Sequence, residues 1–274
     1  MSHIELESAP LGKKITYQAE YAPDLLFPIP RQMNRSKIGV TSPLPFQGID
    51  IWNAYELSWL NLKGKPEIAM GELRFPCTSP NIVESKSLKL YLNSFNNSRF
   101  ADREIVLAHI RHDLSQAAGA PVEVKLFSPH DLIGSSLGGL PGVSLDALDI
   151  SMDTFHTDPT LLRCKEGHIE ETLHSYLLKS NCLVTGQPDW GSIAIRYAGN
   201  PIDHADLLRY IISCRNHNEF NEHCIERIYI DIWHRCQPKQ LTVYGRYTRR
   251  GGLDTNPFRS NFETPWASER QPRQ

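Results

Sequence analysis

Apolar and polar positions change their spacing several times along the chain, and each change marks an element. Residues 1–48 show little periodicity and carry Pro23, Pro28, Pro30, Pro43 and Pro45 among polar neighbours, so they read as an extended arm lying over the fold. IWNAYELSWLN at 51–61 is aromatic and extended, LKGKP at 62–66 is a turn, and EIAMGELRF at 67–75 continues as a second strand. Two such runs around a glycine-containing loop predict an antiparallel hairpin. From Ser85 to Phe95 the period lengthens to that of a helix, with Leu88, Tyr91, Leu92 and Phe95 on one face. A second helix is predicted over 101–117, its apolar face drawn from Ile105, Ala108 and Ile110 or His112, and Gly119 and Pro121 stop it. VEVKLFS at 122–128 then alternates as a strand.

The stretch IGSSLGGLPGVS, 133–144, is rich in glycine and serine and reads as a linker. Beyond about 165 the same order returns. HSYLLKSNC (174–182) and GSIAIRYAG (191–199) predict another hairpin around a turn-rich loop. HADLLRYIIS (204–213) and NEFNEHCIERIYIDIWHRC (218–236) predict two helices, the second with Phe220, Cys224, Ile228 and Ile232 at helical spacing. LTVYGRYT (241–248) is a strand, followed by a proline-containing tail. Strand–strand–helix–helix–strand thus occurs twice without obvious residue identity between the copies. That order predicts an α+β internal duplication in which helices cover one face of an antiparallel sheet. The implied organisation is an arm over 1–48, a first module over 49–132, a linker over 133–164, and a second module with its tail over 165–274.

Composition narrows the function classes. Of 274 residues, 29 are Lys or Arg and 31 are Asp or Glu, a net charge of −2. That balance argues against direct nucleic-acid binding, which rests on an excess of cations meeting phosphate. With 40% apolar residues the chain has material for a sizeable core. The start, MSHIELESAPLGKK, has early acids and no apolar run, and no stretch approaches the ~18–20 apolar residues that cross a bilayer. The expectation is a cytoplasmic protein without membrane contact. The six cysteines (Cys77, Cys164, Cys182, Cys214, Cys224, Cys236) are then reduced thiols, and without a CxxC pair a structural zinc site has little support.

No phosphate-cradling GxxxxGK[ST], GxGxxG, HExxH or GxSxG is present. Four other segments carry candidate chemistry. In SNCLVTGQPDWGS (180–192) Asp189 sits between Pro188 and Trp190, seven residues after Cys182. Proline fixes the backbone and tryptophan excludes water, so Asp189 suits a proton donor and Cys182 an attacking thiolate. Spacing alone favours a buried core cysteine and a turn-forming aspartate, because cysteine is often simply a small buried hydrophobe. CRNHNEFNEHC (214–224) crowds His217, Glu219, Glu222, His223 and Cys224 at a helix junction. It reads as a solvated helix face and cap, as a metal site, or as a carboxylate gripping the N–H edge of a heterocycle. ESKSLKLYLNSFNNSRF (84–100) puts Glu84, Ser85, Lys86 and Ser87 at a helix start, where an anion binds or where ordinary surface residues stand. YTRRGGLDTNPFRS (247–260) sets Arg249 and Arg250 beside two glycines, a phosphate-approach pattern that any basic strand end shares.

Together these segments resemble the family of NADPH-dependent nitrile reductases of queuosine biosynthesis, the 7-cyano-7-deazaguanine (preQ0) reductases, in their long two-module form. LPFQGIDIWNAYELSWLN, ESKSLKLYLNSFN, LLKSNCLVTGQPDWGS, HNEFNEHCIERI and YTRRGGLDTNP fall in the family's order over nearly the whole chain, the second being its defining motif and the Cys–Pro–Asp loop its catalytic signature. The resemblance implies two tandem tunnelling-fold (T-fold) modules, each an antiparallel sheet backed by two helices, and a homodimer. It implies reduction of the preQ0 nitrile to the aminomethyl of preQ1, with two NADPH per turnover and no metal. Cys182 would form a covalent thioimide and Asp189 would protonate the nitrogen. Val83, Glu84, Ser85, Asn221 and Glu222 would bind substrate, and Ser85, Lys86, Arg250 and Gly251 would bind NADPH, so that both modules contribute.

The sequence departs from the family at Asn221, where the family carries His; an amide donates and accepts hydrogen bonds but holds no proton. Two other readings of Cys182 compete: a cysteine-dependent nitrile or amide hydrolase needing no nicotinamide, and a non-catalytic purine- or pterin-binding T-fold protein.

Overall fold

The computed structural model describes residues 18–133, 137–267 and 269–274. Parts of the predicted arm and linker, 1–17 and 134–136, lie outside the described residues. The fold is α+β, and the chain forms two compact units. Unit 1 gathers residues from 18–34, 50–133 and 249–254, and unit 2 gathers 35–49, 137–248 and 255–274.

In unit 1, β1 (Pro28–Pro30) pairs antiparallel with β4 (Asn81–Val83). Strands β2 (Gln47–Leu60), β3 (Pro66–Pro76) and β5 (Glu123–Phe127) form a sheet in the order β5–β3–β2. Two helices, α1 (Ser85–Ser94) and α2 (Arg103–Ala118), follow the predicted hairpin. Each start is fixed by an acidic cap, Glu84 for α1 and Asp102 for α2, and Gly119 in the left-handed region ends α2. The core joins Leu88, Tyr91, Leu92 and Phe95 of α1 to Trp59, Leu73 and Phe75 of the sheet. For α2 the buried face is Val106, Ile110, Asp113 and Leu114, whereas Ile105 is exposed. The expected face was rotated because Asp113, polar by type, is buried as acceptor for the Tyr21 and Tyr91 hydroxyls at 2.7 and 2.6 Å.

In unit 2, β6 (Val143–Ser144), β7 (Ile169–Ser175), β9 (Pro188–Gly199), β10 (Gln240–Tyr247) and β11 (Leu253–Ser260) run in the order β11–β10–β9–β7–β6, with β8 (Lys179–Asn181) paired to one end of β9. The run predicted as one strand over 174–182 is split, because Asp146 draws the Ser175 hydroxyl and the Tyr176 N–H away from the ladder. Helix α4 (Asn221–Cys236) packs on β10 of the sheet, and α3 (His204–Ser213) buries Leu207, Leu208, Tyr210 and Ile211. α4 lies so close to β10 that a Cβ on Gly245 would sit 2.6 Å from Ile225. The tail expected after 248 contains a further strand, β11. Its polar residues hide the strand pattern because they pair within the fold, Ser260 with Thr242 and Asn256 with Gln274.

Candidate active site

The candidate residues divide between the units, with Cys182, Asp189, Asn221 and Glu222 in unit 2 and Val83, Glu84, Ser85, Lys86, Arg250 and Gly251 in unit 1.

In unit 2 the β8–β9 register sets Ser180 opposite Asp189 and leaves residues 182–187 as the connecting loop. The loop closes on itself: the Cys182 N–H donates to the Gln187 carbonyl at 2.8 Å and the Gly186 N–H to the Cys182 carbonyl at 3.0 Å. Cys182 is 8% exposed and Asp189 7%. The neighbouring residue ties this loop to the start of α4. The Asn181 N–H donates to the His217 carbonyl at 2.8 Å, and its carbonyl accepts from Glu219 N–H at 3.0 Å. These bonds hold 217–219 extended, which is why α4 begins at Asn221 rather than at 218 as the periodicity predicts. The thiol, the aspartate and the Asn221–Glu222 turn are thereby brought to one end of unit 2. The N-cap residue of α4, Phe220, makes no side-chain cap bond, and Glu222 stands in the helix's first turn.

Trp190 does not shield Asp189 as its position in the sequence suggests. Strand alternation sends it to the other face, where it is 39% exposed with the guanidinium of Arg215 5.4 Å from its ring. The side chains acting on Asp189 were not legible from the sequence. Its charge reaches Lys179 and the fully buried Tyr247. Lys179 donates to Asn181 Oδ1 and to the Arg215 carbonyl, both at 2.7 Å; burial and the Arg215 charge lower its pKa, and Asp189 opposes them. Lys179 left one signal, a lone cation inside the apolar run SYLLKS.

The other polar residues of 214–224 have distinct partners. His217 and Arg227 both bond the Glu219 carboxylate at 3.0 Å. Burial alone would raise the Glu219 carboxyl, but these hydrogen bonds and charges outweigh it and hold the group at about 2. Burial pushes the Cys224 thiol up to about 12, and the Glu219 charge acts in the same direction. His223 is buried, and its charge helps hold the Glu226 carboxylate, which also receives Arg35 and Arg259. Among the described residues no group of three His, Cys, Asp or Glu side chains could hold a metal ion.

In unit 1 Glu84 is fully buried and caps α1. Its carboxylate accepts from the Lys86 N–H at 2.7 Å, the Ser87 N–H at 2.8 Å and the Ser85 hydroxyl at 3.2 Å. Burial raises its pKa against those bonds. Val83 is fixed by its pairing with Pro28, and Glu84 N–H by the Phe27 carbonyl. The turn after Arg249 is closed by Arg250 N–H to the Leu253 carbonyl at 2.9 Å, with Gly251 and Gly252 both at positive φ. A Cβ on Gly251 would meet Lys89 Nζ at 2.4 Å, so this turn and α1 converge on one basic, glycine-lined surface. Left-handed glycines beside Lys and Arg suit the approach of a phosphate, which fits a dinucleotide phosphate. Lys89, one turn beyond Lys86, is the residue here that the sequence reading passed over.

Comparison with known proteins places these segments in context. A family profile described as "Nitrile reductase, 7-cyano-7-deazaguanine-reductase N-term" matches residues 17–126, and one described as "QueF-like protein" matches 188–266. The chain is 57% identical over 269 residues to the NADPH-dependent 7-cyano-7-deazaguanine reductase of Cupriavidus metallidurans, covering 97% of each. It is 57% identical over 270 residues to the enzyme of that name from Ralstonia nicotianae, again covering 97% of each. The Bordetella parapertussis enzyme of that name is 55% identical over 273 residues, covering 99% of this chain and 100% of the other. A solved structure, the apo archaeosine synthase QueF-Like, aligns with 37% of this chain and 99% of its own, at a TM-score of 0.31 and 11% identity.

Proposed function

Because the chain belongs to the family of NADPH-dependent 7-cyano-7-deazaguanine reductases, we propose that it reduces the preQ0 nitrile to the aminomethyl of preQ1 through a thioimide on Cys182. The observation that carries the chemistry is the closed 182–187 loop, which holds a buried cysteine and a buried aspartate at the mouth of one hairpin and ties them to the Asn221–Glu222 turn.

A nitrile is a poor hydride acceptor until a nucleophile has added to it. The Cys182 sulfur forms a C–S bond to the nitrile carbon, and the electron pair released to nitrogen takes the Asp189 proton, giving a neutral thioimide. NADPH supplies two hydrides. With the first on carbon, the C–S bond breaks, the thiolate leaves and an imine remains. The second hydride, with a proton on nitrogen, completes the amine, so one nitrile consumes two hydrides and two protons. The Glu222 carboxylate accepts from the N–H edge of the deazaguanine, and Asn221 orients it. Val83, Glu84 and Ser85 are assigned to substrate binding. Ser85, Lys86, Arg250 and Gly251 are assigned to NADPH, the arginine favouring the cofactor's phosphate. The same reading makes each half of the duplication a T-fold module and the enzyme a cytoplasmic homodimer. Among the described residues no helix is long and apolar enough to cross a membrane.

The test is an intact-mass spectrum after mixing the protein with preQ0 in the absence of NADPH, beside Cys182→Ala. The expected result is a gain of one substrate mass on the parent alone, lost on adding NADPH. Binding without an adduct would replace this chemistry by reversible recognition, and an adduct surviving in Cys182→Ala would move the nucleophile elsewhere.

A further inference from the structure

Two buried hydroxyls of unit 2 stand beside Asp189 without a part in the chemistry above. Ser180 of β8 is paired directly with Asp189 of β9, so both side chains leave the same face of the sheet. Tyr247 of β10 is paired with Gly191, two residues beyond Asp189 and on that face again. It is the face that α4 covers, since Gly245, two residues before Tyr247, meets Ile225 of that helix. Gly191 makes the approach possible: a Cβ there would stand 3.2 Å from two ring carbons of Tyr247. The ring therefore lies over the glycine, on the diagonal of the ladder that leads to Asp189.

Ser180 and Tyr247 are fully buried, and neither Ser180 Oγ nor Tyr247 Oη has a hydrogen-bond partner among the described residues. Enclosed polar atoms of that kind are rare, because each forfeits the bonds it would make in water. The charge of Asp189 reaches Lys179 of β8 and Tyr247 of β10, and Cys224 of α4 acts on Tyr247 in turn. Burial keeps the Tyr247 hydroxyl protonated well above the ordinary tyrosine range, and Cys224 and Asp189 push it the same way. Tyr247 is thus a neutral donor at neutral pH, as Ser180 is by type.

A hydroxyl carries both a proton and lone pairs and turns about its C–O bond. It accepts from a carboxylic acid and donates to a carboxylate. When the Cys182 sulfur bonds to the nitrile carbon, the Asp189 proton passes to nitrogen, so one negative charge moves from sulfur to the Asp189 oxygens. That charge arises on a buried side chain, where it needs donors not already committed elsewhere. We propose that Ser180 and Tyr247 are positioning residues for Asp189, donating to its carboxylate once the proton has left. This role rests on the thioimide reading and adds to it the two groups that make Asp189 a stronger acid.

The time course of adduct formation with preQ0, followed by intact mass without NADPH across a pH series, tests this in the parent, Tyr247→Phe, Ser180→Ala and Cys224→Ala. Tyr247→Phe is expected to slow the plateau rate about three- to tenfold and to move the alkaline limb, where Asp189 loses its proton before reaction, up by about one pH unit. Ser180→Ala shifts both in the same sense by less, and the half-saturating preQ0 concentration stays unchanged in both variants. A slower plateau with a raised limb is the signature of a weaker acid, which loosened packing does not produce. Cys224→Ala opens space near the same ring but keeps both hydroxyls, so it lowers the melting temperature and leaves the limb in place. A limb unmoved in both hydroxyl variants overturns the proposal while leaving Cys182 and Asp189 in their roles, and so does a limb that moves equally far in Cys224→Ala. Absence of an adduct in the parent overturns the thioimide reading itself, and this role with it.

Discussion

Cys182 and Cys224 both lie in unit 2, and burial separates their chemistry. Cys224 is enclosed on α4 with its thiol pushed up to about 12, so at neutral pH it is a small apolar residue. Cys182 stands at the head of a closed loop beside Asp189. Asn221 stands where the resemblance implies a His, and its Oδ1 is enclosed without a hydrogen-bond partner among the described residues. An amide oxygen accepts, but it delivers no proton. Asn221→His is therefore expected to raise turnover at least about threefold and to add an acid limb near the imidazole pKa, read from kcat against pH. An unchanged or lower rate would deny this position any proton role. Gly251 makes a second residue-scale case, because alanine there needs φ near +60° and places its methyl 2.4 Å from Lys89 Nζ. Gly251→Ala is expected to raise KM for NADPH about tenfold with little change in kcat, and steady-state kinetics at fixed substrate check it.

At the scale of the element, α4 shows how a buried ion network holds a functional turn. Glu226 lies one turn beyond Glu222, on the same helix face. Its carboxylate receives Arg35 at 2.6 and 2.9 Å and Arg259 at 2.9 and 3.0 Å, all three side chains being buried. Glu226→Gln would leave two guanidiniums without their countercharge. It is expected to destabilise unit 2 by about 3–5 kcal/mol and to impair substrate binding by loosening the Glu222 turn; urea unfolding and KM check the two effects. This network also marks a limit of the sequence. The helix was legible because Phe220, Cys224, Ile228 and Ile232 repeat at helical spacing, and Cys182 and Asp189 were legible because they share a short loop. Arg35 and Arg259 were not, since partners 191 and 33 positions from Glu226 leave no local pattern. The same reason hid β11, whose polar side chains are buried by pairing, and Lys89, whose place beside Gly251 depends on a turn far along the chain.

Taken over the whole molecule, the buried carboxylates set how the fold responds to acid. Glu219, held at about 2, and Glu226, held well below the usual range, have lower pKa values folded than unfolded. Such groups contribute stability above the unfolded carboxylate pKa, near 4.5, and that contribution is lost as pH falls toward the folded value. For Glu219 the shift corresponds to about 3 kcal/mol. Glu84 and Asp231 act the other way: burial raises their folded pKa, so their ionisation at neutral pH costs stability that protonation restores. The depressed pair titrates at the more acidic end and the raised pair at the less acidic end. Stability is therefore expected to change little from pH 7 to about 5 and to fall steeply from about 4.5 to 2. Urea unfolding at a series of pH values measures this, and the slope in the acid range separates the contributions. Glu219→Gln should lower stability at pH 7 and flatten the acid limb, because the glutamine cannot titrate and still leaves Arg227 and His217 facing a neutral partner. If the acid limb keeps its full slope in that variant, the acid sensitivity belongs to Glu226 and its arginines rather than to the contacts beside the 182–187 loop.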